Sequence, residues 1–326
     1  MENYNQNDFE KSICFSAEFV EELNRRAFEL DPRLFLFAHY EPKPYRSNES
    51  FKNLFTIAVI NLYGLFKDCG SGKNLFNLMD SLCDLSENDK KTHNNLYSDV
   101  MIFRSMFCHN FAPNNYPLDE AGEKQAKKRL EIEEDVNIMD IPEEKWEYHL
   151  QKLCADAYTV QMNFSAGLDS LIQTNNKEKE DQIKKWIDYI VNFYISKPNL
   201  LLNAILPMIL SSTNGSKSDQ AKAEIVEDPE GMYVGTLKWL KKNRFIESPN
   251  VAAFKPNKKK PYPGRWLDRS KIKPIIDNWP NEWAIFNEGQ DFKNCPEGPH
   301  PESDFFKILA KNLSEYMNPI NPNINY

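Results

Sequence analysis

The sequence predicts a mainly α-helical protein with a smaller, proline-rich C-terminal region of α+β or irregular structure. Apolar residues recur at spacings of three and four through the first two-thirds of the 326 residues, as expected for helices with one buried face. Polar capping signals precede several of these stretches. Glycine, with only 11 residues, is too scarce for turn-rich β folds or for glycine-rich cofactor loops. The character of the chain changes after Lys197-Pro198, where prolines begin to crowd the sequence.

The N-terminal helices are defined by their capping and stop residues. Residues 16–30 form a predicted helix with Ser16 as its N-cap, and Pro32 stops it. The strongest amphipathic stretch follows, from Phe51 to Phe66, with apolar side chains in the rhythm of a helix. This helix is expected to break at Gly70, and a shorter helix follows it.

The next helix carries most of the functional information. An [ST]-x-x-[DE] capping signal at Ser86 opens it, and we expect it to run to about Phe111 before Pro113 and Pro117 terminate it. Residues 119–147 hold 11 Asp or Glu against 5 Lys or Arg, which is typical of a solvated connecting helix or loop. Further helices are predicted at 147–173 and 181–195.

Composition excludes several classes of function. The net charge of -8 argues against a sequence-independent grip on nucleic acid by the whole surface, so such a contact needs a local basic patch. No apolar stretch reaches the roughly 18 to 20 residues of a membrane span, and the polar N-terminus is unlike a signal peptide. The six cysteines and five histidines show no zinc or redox spacing, so we expect no metal and a reducing, cytoplasmic location.

Residues 96–111 hold an arginine and a histidine on a helix that is apolar on two sides. Arg104 falls on the shoulder of the stripe formed by Leu96, Val100, Phe103 and Phe107, and His109 falls almost opposite it, at about 100° per residue. The opposite face also carries the apolar residues Met101, Ile102 and Cys108. A helix of this kind is buried on both sides, which predicts contact with a second copy of the chain or with more of this one.

The two residues suit the cleavage of RNA. Five N–H donors in a fork allow Arg104 to bind the oxygens of a phosphate and to stabilise the charge that builds on phosphorus. His109 lies in the last predicted turn, where the helix dipole favours a protonated imidazole, and a histidine can move protons near neutral pH.

The stretch Arg104-Ser-Met-Phe-Cys-His109 resembles the R-x4–6-H signature of the HEPN superfamily. The resemblance covers residues 49–195 and implies a HEPN-like up-down helical bundle there, between an N-terminal helical segment at 1–48 and a C-terminal region at 196–326. It implies a metal-independent endoribonuclease without a cofactor, acting as a homodimer in antiviral defence or as a toxin with an antitoxin or defence-system partner. Ser105 and Asn110 occupy the polar positions that accompany the arginine and the histidine in this family.

Two features bear on this resemblance. A toxin subgroup of the family carries a tyrosine two residues after the histidine, where this chain has Phe111, so regulation through that hydroxyl is not expected. The family often adds an acidic or polar helper from another helix, for which Asp68 and Glu49 are both candidates.

Other interpretations of these residues stay open. In the alternative, His109 is itself a core or helix-end histidine with a structural role, and Arg104 pairs with a nearby carboxylate such as Asp99. A second spacing match, Arg33 to His39, is set aside because Pro32 directly precedes it.

A second candidate site is the basic segment at 255–273, which has eight Lys or Arg, one Asp and interleaved aromatic residues. Basic and aromatic side chains together are typical of single-strand binding, so RNA contacts are predicted for Lys258, Lys259, Lys260, Arg265 and Trp266. A solvated proline-rich loop is the alternative. Two other functions are compatible with this part of the chain. The protein could be a helical protein that binds RNA or DNA without catalysis, or a transcription regulator that reads duplex DNA with residues 236–273.

Overall fold

The computed structural model describes most of the first 195 residues and four shorter parts of the C-terminal region, and it is mainly helical. The described residues are 16–45, 49–83, 85–108, 117–133, 135–195, 254–256, 263–267, 269–294 and 304–309. The helices are α1 (Ala17–Leu30), α2 (Phe51–Tyr63), α3 (Lys73–Leu82), α4 (Glu87–Cys108), α5 (Pro117–Arg129), α6 (Glu143–Gln173), α7 (Asn176–Ile195), α8 (Arg269–Asp277) and α9 (Trp279–Phe286). Two strands, β1 (Phe254–Pro256) and β2 (Pro263–Leu267), form an antiparallel pair.

The chain divides into two compact units. The first takes residues 1–30 and 35–185, and the second takes residues 31–34 and 186–326. The boundary falls inside α7. Among the described helices, none combines the length and apolar character needed to cross a lipid bilayer.

In the first unit the 31-residue helix α6 is the central element, and α1, α2, α3 and α4 all pack against it. Phe55 of α2 lies at the middle of an aromatic cluster, with ring centroids 5.1 Å from Phe103, 6.0 Å from Phe107 and 5.4 Å from Trp146. Apolar burial of these large rings is the main favourable term holding the three helices together. The cluster fixes the C-terminal half of α4, where the candidate site lies.

The predicted capping residues are confirmed. The Phe19 amide donates to Ser16 Oγ at 3.1 Å, and the Asp89 amide donates to Ser86 Oγ at 3.1 Å. The Ser86 hydroxyl in turn donates to the Asp89 carboxylate at 2.6 Å. Each cap satisfies a backbone donor that has no partner within the helix. These local bonds explain why α1 and α4 begin where the sequence predicts.

Several helix boundaries differ from the predictions. Pro117 was expected to end a helix but begins α5, which a proline does readily because the first helical residue needs no N–H partner. The helix α6 begins at Glu143, four residues earlier than predicted, directly after Pro142 and with two glutamates in its first turn. The helix α2 continues into a π-helical turn, Gly64–Cys69, which the periodic pattern does not reveal.

The second unit has its own aromatic core. The rings of Tyr194 and Phe305 are stacked, with their centroids 3.6 Å apart, and the ring centroid of Trp279 lies 5.5 Å from that of Phe305. Arg269 at the start of α8 pairs with Asp188 of α7. In the strand pair, Phe254 lies opposite Leu267 and Pro256 opposite Pro263.

Candidate active site

The helix α4 presents two different sides, as its sequence predicts. Leu96, Val100 and Phe103 are all at least 96% buried, so the predicted stripe is confirmed for these three residues, and Phe107 is half-buried. The stripe packs against α2 and α6 through the aromatic cluster around Phe55. This packing fixes the rotation of α4 about its axis and therefore the directions in which its other side chains point.

Arg104 is half-buried, and its guanidinium carbon lies 4.6 Å from the centre of the Tyr63 ring. Tyr63 is the last residue of α2 and is itself half-buried. A guanidinium over an aromatic face is attracted by the ring quadrupole. The ring therefore positions a permanent cation at a partly exposed place on the bundle.

The face of α4 opposite the stripe is only partly covered within the described residues. Ser105 is exposed, and Met101 and Ile102 are half-buried.

Several predicted site residues lie outside the residues that the structure describes. His109 and Asn110 follow the last described residue of α4 and lie outside the described residues, as do Lys258, Lys259 and Lys260. Arg265 and Trp266 belong to β2, and the three lysines belong to the six-residue connection between the two strands.

No protein-family model, curated protein or solved structure matches this chain.

The alternative pairing of Arg104 with Asp99 is not what the structure has. The Asp99 carboxylate lies 3.2 Å from Nε of Arg129 on α5, and Arg129 also donates to Ser98 Oγ at 3.4 Å. Burial between the helices raises the pKa of Asp99 to about 6, although the cations of Arg129 and Lys152 act in the opposite direction. Asp99 thus belongs to an interface between helices rather than to the Arg104 site.

The second spacing match, Arg33 to His39, lies in turns and not in a helix. Arg33 makes two hydrogen bonds to the Asp31 carboxylate, at 2.8 and 2.6 Å. His39 is 79% exposed and lies 3.0 Å from Glu41. The two residues therefore lack the shared helix that the motif requires.

The two helper candidates lie at opposite ends of α2. Because Phe55, near the start of α2, contacts Phe103 and Phe107, the beginning of α2 lies beside the C-terminal end of α4. Glu49 lies two residues before the first residue of α2 and accepts a hydrogen bond from the Asn53 side-chain amide at 2.9 Å. Asp68 is exposed in the π-helical turn after the other end. Of the two, Glu49 is therefore nearer the end of α4 after which His109 follows.

Sequence reasoning missed a buried polar cluster around His93, which is fully buried. Its Nδ1 lies 3.3 Å from the Asp80 carboxylate, and its Nε2 lies 3.0 Å from the Asn163 side-chain amide. Burial lowers the pKa of His93, which keeps the ring neutral. This fully buried histidine links α3, α4 and α6 in the interior of the first unit. The spacing along α4 could have predicted this burial, because residue 93 precedes Leu96 by three positions and therefore lies near the buried stripe.

Among the residues that the structure describes, no group of three or more His, Cys, Asp or Glu side chains is placed to hold a metal ion.

Proposed function

We propose that this protein is a metal-independent endoribonuclease of the HEPN type, with Arg104 and His109 as its catalytic residues. The observation that carries the proposal is the position of Arg104. It lies late on a helix that is anchored by its buried stripe, with the guanidinium held against Tyr63 and the exposed Ser105 next to it in the chain. A cation that is fixed before the substrate arrives stabilises developing charge at little cost of reorganisation.

In the proposed reaction the RNA supplies its own nucleophile. His109 accepts the proton of the 2′-hydroxyl as that oxygen attacks the adjacent phosphorus, and Arg104 binds the phosphate oxygens whose negative charge increases. The new bond joins O2′ to phosphorus and the bond from phosphorus to O5′ breaks. The leaving O5′ takes up a proton, so the products are a 2′,3′-cyclic phosphate and a 5′-hydroxyl. DNA lacks the 2′-hydroxyl and is spared.

A cleavage assay with chelator and matched variants tests the proposal. Single-stranded RNA should be cut equally well with and without EDTA, and the fragments should carry the two predicted ends. His109→Ala and Arg104→Lys should each lower the rate by about 10²-fold or more, because one removes the proton acceptor and the other the planar fork of donors.

The chain supplies a control for each variant. His39→Ala changes an exposed histidine, and Arg25→Lys changes an arginine that pairs with Glu22 on the surface of α1. Both should cut RNA like the unchanged protein. Cleavage that stops with EDTA, or that survives His109→Ala, contradicts the mechanism.

The proposed assembly is a homodimer formed through the α4 side that carries Met101, Ile102 and Ser105. The half-burial of the first two and the exposure of the third within a single chain support this choice of surface. Pairing there would bring two Arg104/His109 sets to one cleft. A role in defence or as a toxin, with an antitoxin or another defence protein as partner, follows from the family resemblance and is proposed on that ground alone.

A second candidate function is binding of RNA or DNA without turnover. The strand pair favours it, because β1 and β2 are joined by the segment that contains Lys258, Lys259 and Lys260 and β2 contains Arg265 and Trp266. Charge reversal at the three lysines distinguishes the functions. If the protein shifts RNA on a gel, leaves it intact, and loses the shift on this reversal, binding without turnover is the correct interpretation.

A further inference from the structure

The side of α4 next to Arg104 carries a second feature that the motif does not include. Three cations and two tyrosines from α2, the π-helical turn, α3 and α4 lie around one another. We call this surface the basic tyrosine patch, and it consists of Tyr63, Lys67, Lys73, Tyr97 and Arg104. Such a concentration of positive charge is unexpected on a chain whose net charge is -8.

Contacts within the patch hold its members together. Arg104 lies over Tyr63, and Tyr63 is close enough to Tyr97 for their phenol groups to interact electrostatically. The backbone N–H of Lys73 donates to the Tyr97 phenol oxygen. Tyr97 precedes Arg104 by seven residues on α4, which places both on the same side of the helix.

Gly72 makes this close approach possible. A Cβ atom at residue 72 would lie 2.9 Å from the phenol oxygen of Tyr97 and 3.8 Å from Nζ of Lys67, so these two polar groups converge on the glycine. Its φ of +57° is in the left-handed region that favours glycine. The turn therefore brings Lys67 and the first residue of α3, Lys73, to the same surface as the tyrosines.

The patch is accessible. Lys67 and Lys73 are exposed, and Tyr63, Tyr97 and Arg104 are half-buried. Asp68, which is also exposed, is the acidic residue next to Lys67 in the chain. Lys67 and Lys73 thus present two exposed ammonium groups on the surface that carries the two tyrosine rings.

We infer that the basic tyrosine patch binds single-stranded RNA, with phosphates beside the cleavage point on Lys67 and Lys73 and with unpaired bases against the tyrosine rings. Lysine ammonium groups bind phosphates as point charges, and aromatic rings stack on bases only where these are not paired in a duplex. The inference rests on the proposed function, because it takes Arg104 as the residue that holds the scissile phosphate. It extends the substrate-binding surface from Arg104 across α2 and α3.

Binding is measured by fluorescence anisotropy with a short, single-stranded 2′-O-methyl RNA, which the protein cannot cut because the nucleophile is blocked. The test variant is Lys67→Glu/Lys73→Glu. The control is Lys177→Glu/Lys185→Glu, which changes the net charge equally at two exposed lysines of α7. The same probe annealed to its complement tests the preference for unpaired RNA.

The patch variant should bind at least about tenfold more weakly than the control. The slope of log affinity against log salt should fall by about 1.4 when two phosphate contacts to a single strand are lost. The duplex should bind more weakly than the single strand. Binding of the patch variant within about twofold of the control, equal binding of duplex and single strand, or no binding by the unchanged protein would each overturn the inference.

The outcomes separate this inference from the proposed function. If the protein fails to cut natural RNA but binds the blocked probe through Lys67 and Lys73, the nuclease proposal fails and the binding surface stands. If it cuts RNA and the patch variant shows an unchanged KM, the nuclease proposal stands and the binding surface is wrong.

Discussion

The buried carboxylate Asp99 predicts a specific dependence of stability on pH. It lies five residues before Arg104 on α4, with a side chain that is only 16% exposed, and faces Arg129 of α5. Lys152 and Asp156 of α6 also act on it. Desolvation is the largest of these effects and raises the pKa of Asp99 to about 6. The perturbation that tests this is Asp99→Asn, which keeps the shape of the side chain and removes its charge.

The sign and size of the effect follow from linkage. Because the pKa is raised in the folded state, folded protein holds a proton between about pH 4 and pH 6 that unfolded protein has released. The contribution of Asp99 to stability is therefore present at low pH and is lost as the pH rises through 6. Between about pH 4.5 and pH 7.5 this amounts to roughly 2 kcal/mol, at about 1.4 kcal/mol for each unit of pKa.

Urea unfolding followed by helical circular dichroism measures the difference. The loss of unfolding free energy between the two pH values should be roughly 2 kcal/mol larger for the unchanged protein than for Asp99→Asn. The comparison cancels other titrating groups, including His93, whose lowered pKa acts in the opposite direction by destabilising the fold in acid. Asp181→Asn, at an exposed residue of α7, is the control. An identical pH dependence for Asp99→Asn and the unchanged protein would refute the reasoning.

Two further predictions concern packing and assembly. A Cβ atom at Gly167 would lie 2.2 Å from Sγ of Cys83, so Gly167→Ala should lower the free energy of unfolding by roughly 1–3 kcal/mol. Adding Cys83→Ala to this variant should restore most of the lost stability, because it removes the sulfur that clashes. Thermal or urea unfolding measures both effects. Ile102→Glu should convert the proposed dimer to a monomer in sedimentation velocity, whereas Ile172→Glu, at an exposed residue of α6, should leave it unchanged. Equal sedimentation of the two glutamate variants would contradict the choice of surface.

The sequence was sufficient for features that depend on neighbours along the chain. Helix caps are local, so Ser16 and Ser86 could be assigned from their own and the next three residues. The buried stripe of α4 also follows from spacing alone, because a helix places residues three and four apart on one face. The mainly helical class follows from the same two kinds of signal.

Features that depend on contacts between distant segments were not predictable in this way. The spacing shows that Arg104 lies on the shoulder of α4, but not that Tyr63 at the end of another helix meets it. The partner of Asp99, Arg129, is 30 residues away in a stretch for which the sequence predicts either a helix or a loop. The convergence of Lys67 and Tyr97 at Gly72 depends on a π-helical turn, for which periodicity gives no signal.

The separation between Asp99 and Arg104 explains how one helix can serve both stability and a site. Five residues on an α-helix turn the side chain by about 140°, so these two groups leave α4 in different directions despite their closeness in sequence. Asp99 faces α5, where Arg129 partly offsets the cost of its burial, and Arg104 faces the end of α2, where Tyr63 holds it. Because Asp99 leaves α4 on another side, its carboxylate faces Arg129 and not the exposed Lys67 and Lys73. Both proposals place the RNA on the side of α4 that carries Tyr97 and Arg104.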